Sequence, residues 1–218
     1  LGVEKEEIRR RVGEMANYFG INSWFHKNTF DLAGGEKQVL NLAGVLVMQP
    51  SLLLLDEPTS QLDPIAALAF LNTLKRINQE LGITIILVEH RLEEVFPIVD
   101  RVIIMDQGEI IADDLPRKIA KTFEHKRLIW TLPTAVQIYR GLNGSGTCPL
   151  TVREGREFIS KYRPEKQNVN KKELKKKENI LSLKNIYFSF GAKKADVLSG
   201  LNLEIQKGEI FSLVGANG

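Results

Sequence analysis

Two adjacent carboxylates, Asp56 and Glu57, follow the apolar run Leu52-Leu53-Leu54-Leu55, and His90 closes a second apolar run at 83–88. Carboxylates and histidine are the side chains that hold cations and move protons. An acid at the end of a buried strand needs a partner to offset its desolvation. Sites in α/β sheets sit beyond the carboxyl ends of the strands, where all three residues fall. The plainer alternative is that Asp56 and Glu57 cap the next turn and that His90 is structural. A second feature is Leu32-Ala33-Gly34-Gly35-Glu36, which opens a helix. Its backbone N–H groups and helix dipole favour a phosphate oxygen, and Gly34 and Gly35 allow close backbone approach. Asp63, just before Pro64, reads as a helix N-cap.

The elements that position these residues follow from periodicity. Ile8, Val12, Met15 and Phe19 give an amphipathic helix over 4–19, stopped by Gly20. A second helix runs to residue 49, carrying Leu40, Leu42, Ala43, Leu46 and Val47 inward. Residues 52–55 read as a strand fully buried in a parallel sheet. A helix from Pro64 buries Leu68, Leu71, Leu74, Ile77 and Leu81 and closes at Gly82. The strand at 83–88, a short helix to 99 and a hairpin at 101–112 across Gln107-Gly108 follow. Strand, helix, strand with apolar strands is α/β logic.

Residues 114–179 read as a linker region, in which Trp130, Leu132, Val136, Ile138 and Tyr139 have the character to pack. The lysine-rich run at 171–177 reads as a solvated hinge rather than a nucleic-acid contact, because structured sequence resumes at once. Strands are expected at 181–190, 197–205 and 210–214, with Lys207-Gly208 turning between the last two.

Composition narrows the class. The 218 residues are 43% hydrophobic and 26% charged, and the modest net charge of +3 does not argue for nucleic acid or an anionic membrane as principal ligand. The single cysteine, Cys148, excludes an internal disulfide framework and fits a reducing compartment. No apolar run approaches the roughly 18–20 residues that span a bilayer. The charged, helix-like opening residues lack the profile of a signal peptide.

Together these motifs resemble the ATP-binding cassette (ABC) family. Residues 32–36 match its signature loop, and 52–57 its Walker B strand with the following glutamate. Ser60-Gln61-Leu62-Asp63 looks like the D-loop, and His90 like the switch histidine. Phe190 matches the aromatic that stacks on adenine, Phe188 beside it reads as core, and Gly215-Ala216-Asn217-Gly218 matches the start of a Walker A loop. The resemblance implies an α/β, P-loop NTPase (ABC ATPase) fold. It would be incomplete, with a mostly parallel sheet core and the antiparallel β start of a second module. It divides the chain into 1–113 (end of a first nucleotide-binding module), 114–179 (linker) and 180–218 (start of a second).

The same resemblance implies ATP and Mg²⁺ as cofactors. Asp56 would hold Mg²⁺ through water, Glu57 would orient and deprotonate the attacking water, and His90 would contact the γ-phosphate. Leu32, Ala33, Gly34, Gly35 and Glu36 would serve the ATP of the opposite module, and Asp63 would help join the two. Ala33 stands where the family commonly has serine, and Glu36 where it has glutamine. The missing hydroxyl removes a charge-assisted hydrogen bond worth about 1.5–3 kcal/mol, so weakened turnover is expected at the site this loop completes. Phosphate-gripping lysines are absent from both modules, so these residues alone are expected to hydrolyse ATP negligibly.

The stretch 148–156 is similar to one joining the halves of duplicated energy-coupling-factor importer ATPases, which drive vitamin and metal-ion uptake. That reading implies paired modules docked on integral membrane subunits at the cytoplasmic face of the membrane, with no nucleic-acid partner. The alternatives are a soluble ABC protein acting on ribosomes or DNA, and a degenerate regulatory module. Thr59-Ser60-Gln61-Leu62-Asp63 favours transporters over the former, and Glu57 with His90 counts against the latter.

Overall fold

The computed structural model describes residues 2–124, 128–162, 178–191 and 196–213, which fall into two compact units, Leu1–Pro164 and Glu165–Gly218. The hinge at 171–177 and the loop Gly215-Ala216-Asn217-Gly218 lie outside the described residues.

The first unit opens with helix α1, Lys5–Phe19, closed by Gly20 at φ 68. Only a residue tolerant of the left-handed region ends a helix this way. Helix α2, Gly34–Leu46, precedes strand β1, Leu52–Asp56. Helix α3, Pro64–Leu81, carries the chain back to strand β2, Thr84–Val88, which pairs with β1 in parallel. The register sets Leu52 against Thr84, Leu54 against Ile86 and Asp56 against Val88. Because side chains alternate across a strand, Leu53 and Leu55 point with Ile85 and Leu87 into a core formed with Phe70, Leu71, Leu74 and Ile77 of α3.

The opposite face of this sheet is open. Leu52, Leu54, Ile86 and Val88 are 51, 68, 49 and 46% exposed, so β1 is buried on one face and not on both as its composition suggests. β1 and β2 form a sheet of two strands among the described residues. The expected parallel core is therefore reduced to one pair.

After the short helix α4, Leu92–Val95, strands β3, Val102–Asp106, and β4, Glu109–Asp114, form an antiparallel hairpin. Gln107 and Gly108 turn it with φ 48 and 84, the paired positive angles that match strand twist.

Within the stretch expected as linker from residue 114, the described residues form helices up to Ile159. Helices α5, Pro116–Thr122, α6, Thr134–Gly141, and α7, Val152–Ile159, share a second core. Phe96, Ile119, Val136, Tyr139, Leu150 and Phe158 fill it. These segments are individually too short to signal themselves by periodicity, and they are stable only because they bury one another. Trp130, expected to pack, is 75% exposed.

The second unit pairs strand β5, Asn179–Phe188, antiparallel with β6, Leu198–Gln206. The expected strand at 210–214 is not formed across its described residues 210–213, where Ile210 is fully exposed. A strand needs a ladder partner for its backbone groups, and it has none among the described residues. Phe188, expected in the core, is 46% exposed for the related reason that a two-stranded ribbon leaves a face uncovered.

Candidate functional site

The carboxyl ends of β1 and β2 bring the site together. Because the strands are parallel and in register, Asp56 and Val88 end level with one another. Glu57 and His90 then leave on adjoining loops. Glu57 N–H donates to Val88 C=O at 2.9 Å, extending the ladder by one bond. The imidazole Nε2–H of His90 donates to Glu57 Oε1 at 2.6 Å. Both side chains reach solvent, at 77% exposure for His90 and 42% for Glu57. A carboxylate and an imidazole in contact at an open edge are the kinds of group that exchange protons with a bound reactant.

Glu57 holds φ at 45. For an L residue this left-handed backbone costs about 1–2 kcal/mol. Ser60 N–H closes the turn by donating to Glu57 C=O at 3.1 Å. Asp56, expected to be a buried acid requiring a partner, is instead exposed, because the sheet face it shares with Leu54 is open. Its carboxylate has no hydrogen bond or ion pair among the described residues.

The signature stretch is built on the N-terminus of α2. Leu32 is buried at 4% exposure and anchors the loop, while Ala33 occupies the cap position. Glu36 Oε2 accepts from Ala33 N–H at 2.9 Å. Alanine has no oxygen to return that bond, so the first-turn N–H groups take no side-chain cap. They remain free for an anion.

The glycines of this loop have a packing role that their sequence context did not show. A Cβ on Gly35 would lie 3.2 Å from Ala66 Cβ, and one on Gly34 3.9 Å from Leu62 Cδ2. The signature helix thus abuts the D-loop and the start of α3. Asp63 caps α3 directly, with Oδ1 accepting from Ile65 N–H and Ala66 N–H, both at 2.9 Å.

Two contributors went unread in the sequence. Glu89 Oε1 accepts from Thr59 N–H at 3.0 Å and from the Thr59 hydroxyl at 2.6 Å, and its Oε2 accepts from His90 N–H at 3.2 Å. Thr59 is fully buried, the one buried polar side chain among the described residues. Arg91 Nη2 donates to Leu62 C=O at 3.3 Å. The available signal was a glutamate directly before the histidine at a strand end. It was overshadowed by the histidine itself.

Residues 2–60 match the family model for ABC transporters. A Bacillus thuringiensis relative described as an ABC transporter ATP-binding protein is 42% identical over 221 residues, covering all of this chain and 40% of its own length. Along its whole length the chain is similar to ABC transporter ATP-binding proteins. It spans about 40% of the length of the first curated relatives it matches. The structure of cbiO1 from Clostridium perfringens, part of the ABC transporter complex cbiONQ, is 31% identical with a TM-score of 0.55, over 72% of this chain and 55% of that one. An ATP-binding cassette of an ABC transporter in its ADP conformation shares the fold, with a TM-score of 0.54 at 22% identity over 59% of this chain and 51% of its own. The fold is that of the P-loop ABC ATPases: β1 and β2 pair in parallel, and β3 with β4 and β5 with β6 pair antiparallel in sheets of their own.

In the frame of an ABC ATPase, the structure joins Glu57 to His90 and the signature glycines to the D-loop. Phe190 belongs to the second unit, 74% exposed and edge-on to Phe188 at 5.1 Å between ring centres. No helix among the described residues is long and apolar enough to cross a membrane.

Proposed function

We propose that this chain supplies the hydrolytic half-site and the trans-acting signature loop of an ABC ATPase that powers import of a small solute. The observation carrying this reading is the 2.6 Å contact of Glu57 with His90 at the carboxyl ends of two parallel strands. Glu57 polarises and deprotonates the attacking water, and His90 holds the proton-bearing nitrogen beside it. Asp63 and the signature residues Leu32, Ala33, Gly34, Gly35 and Glu36 face the ATP of the opposite module, Phe190 offers the adenine platform of the second, and Gly215, Ala216, Asn217 and Gly218 begin its phosphate loop.

The residues fit the cofactors. Asp56 is an exposed, unpaired carboxylate, and no group of three or more metal-binding side chains occurs among the described residues. One carboxylate completed by water and nucleotide phosphates is how Mg²⁺ is commonly held. Mg²⁺ supplies charge neutralisation on the phosphates when bound. The uncapped N–H groups at the start of α2 suit a phosphate.

Import is supported by the likeness to cbiO1, itself part of a transporter complex, and by the resemblance of residues 148–156 to energy-coupling-factor ATPases. On this reading two modules pair within one protein, close around ATP, and pull on integral membrane subunits at the cytoplasmic face, moving a vitamin or metal ion. In the full-length protein, Glu57→Gln should lower kcat by about 10²–10⁴ while ATP still binds. Wild-type turnover in that variant, or recovery of the protein with ribosomes instead of membranes, would overturn the reading.

A further inference from the structure

We propose that Glu89 is a positioning residue for this ATPase, holding Glu57 and His90 in contact by tying the turn at 57–60 to the backbone of His90. The proposal rests on the hydrolytic reading above and deepens it.

Three observations carry it. The first is that one carboxylate reaches both loops: Oε1 takes the N–H and hydroxyl of Thr59, and Oε2 takes the N–H of His90. Thr59 is two residues beyond Glu57, and His90 directly follows Glu89, so the carboxylate bridges the two segments that present the reacting side chains. The second is burial. Thr59 has no solvent exposure, so water cannot stand in for Glu89 as acceptor of its two donors. Loss of the carboxylate leaves those donors orphaned and frees the turn to move.

The third is strain. Glu57 sits at φ 45, a conformation that persists only when its surroundings hold it. Its N–H bond to Val88 C=O and the Ser60 bond to its C=O fix the near side of the turn. Thr59, gripped by Glu89, fixes the far side. Arg91, by donating to Leu62 C=O, ties the same histidine loop to the D-loop one turn further on. The loop after β2 thus braces the loop after β1 at two points flanking His90. Small misplacement of a reacting group is costly to rate because proximity and alignment supply much of the barrier reduction.

The test is steady-state ATPase kinetics on the full-length protein with Glu57→Gln, Glu89→Ala, Glu89→Gln, Thr59→Val and the Thr59→Val/Glu89→Ala double variant. Glu89→Ala should lower kcat about 10- to 100-fold and leave KM for ATP within about twofold, since no nucleotide contact is removed. The double variant should be no worse than Glu89→Ala alone, because both substitutions break one link. Glu89→Gln preserves an oxygen for Thr59 but turns an amide NH₂ toward the His90 N–H. It should fold normally and give an intermediate kcat. Amide hydrogen exchange should show protection lost at Thr59 and His90 in Glu89→Ala, independent of turnover.

If Glu57→Gln turns over like the wild type, the hydrolytic reading fails and this proposal falls with it. If Glu57→Gln is dead while Glu89→Ala or Glu89→Gln keeps wild-type kcat, only the positioning role is overturned. Multiplicative losses in the double variant would overturn it equally.

Discussion

At the scale of single residues, the site depends on side chains whose neighbours were set by strand register. Glu57 and His90 meet because β1 and β2 run parallel and end level, which puts the two following loops side by side. Ala33 stands where the family resemblance leads one to expect serine. It leaves α2 without a side-chain cap, and Glu36 answers with only half of the reciprocal pair. Ala33→Ser should therefore act twice. It should stabilise the helix start by about 0.5–2 kcal/mol, seen as a raised melting temperature. It should also increase kcat or ATP affinity several-fold at the composite site, by restoring a hydrogen bond to phosphate. Unchanged ATP titrations and kcat would show that the backbone N–H groups suffice.

At the scale of elements, the helices α5, α6 and α7 illustrate how short segments are held. Gly144 packs under an aromatic pair: a Cβ there would lie 2.4 Å from the Tyr139 ring and 2.9 Å from Phe158. Those rings sit 5.0 Å apart in the second core. Gly144→Ala should cost about 1–3 kcal/mol by overpacking, measurable as a lower urea midpoint. The start of α7 is fixed by polar contacts. Arg117 forks onto Glu154 at 2.7 and 3.0 Å, and Leu150 N–H donates to the same carboxylate at 2.8 Å. The Arg117 guanidinium, aided by that N–H, draws the Glu154 pKa down to about 2 from an ordinary 4.5. A carboxylate with a depressed folded-state pKa stabilises fully above its unfolded value and loses that contribution as pH falls through the folded one. Acid unfolding of the wild type and Glu154→Gln should therefore differ above pH 4.5 and converge toward pH 2. A constant gap across that window would refute the pairing's role.

At the scale of the whole molecule, the chain presents an apolar sheet face that nothing among the described residues covers. Leu52, Leu54, Ile86 and Val88 form it in two rows set by the parallel register. Such surfaces associate when left open. The isolated chain should self-associate with rising concentration in sedimentation velocity, and Leu54→Lys should suppress it, since a charge on that face is costly to bury. A monomer at all concentrations would show that the face is covered or tolerated. Glu57 and Phe190, proposed above as hydrolytic carboxylate and adenine platform, fall in different compact units, the first and the second.

Local signals were enough for much of this protein. The cap at Asp63, the stop at Gly82, the Gln107-Gly108 turn and the apolar strands at 52–55 and 83–88 each report short-range preferences that survive folding. The order of Glu57, Asp63 and His90 behind those strands was legible for the same reason. Which face of β1 is buried was not, because four leucines in a row carry no alternation; only α3 packing on one side decided it. Nor could the sequence show that α5, α6 and α7 share one core, since three short helices draw their stability from contacts far apart along the chain. The bridge from Glu89 to Thr59 lies beyond local pattern altogether. It spans 30 residues of chain and exists because parallel pairing lays one strand's end beside the other's.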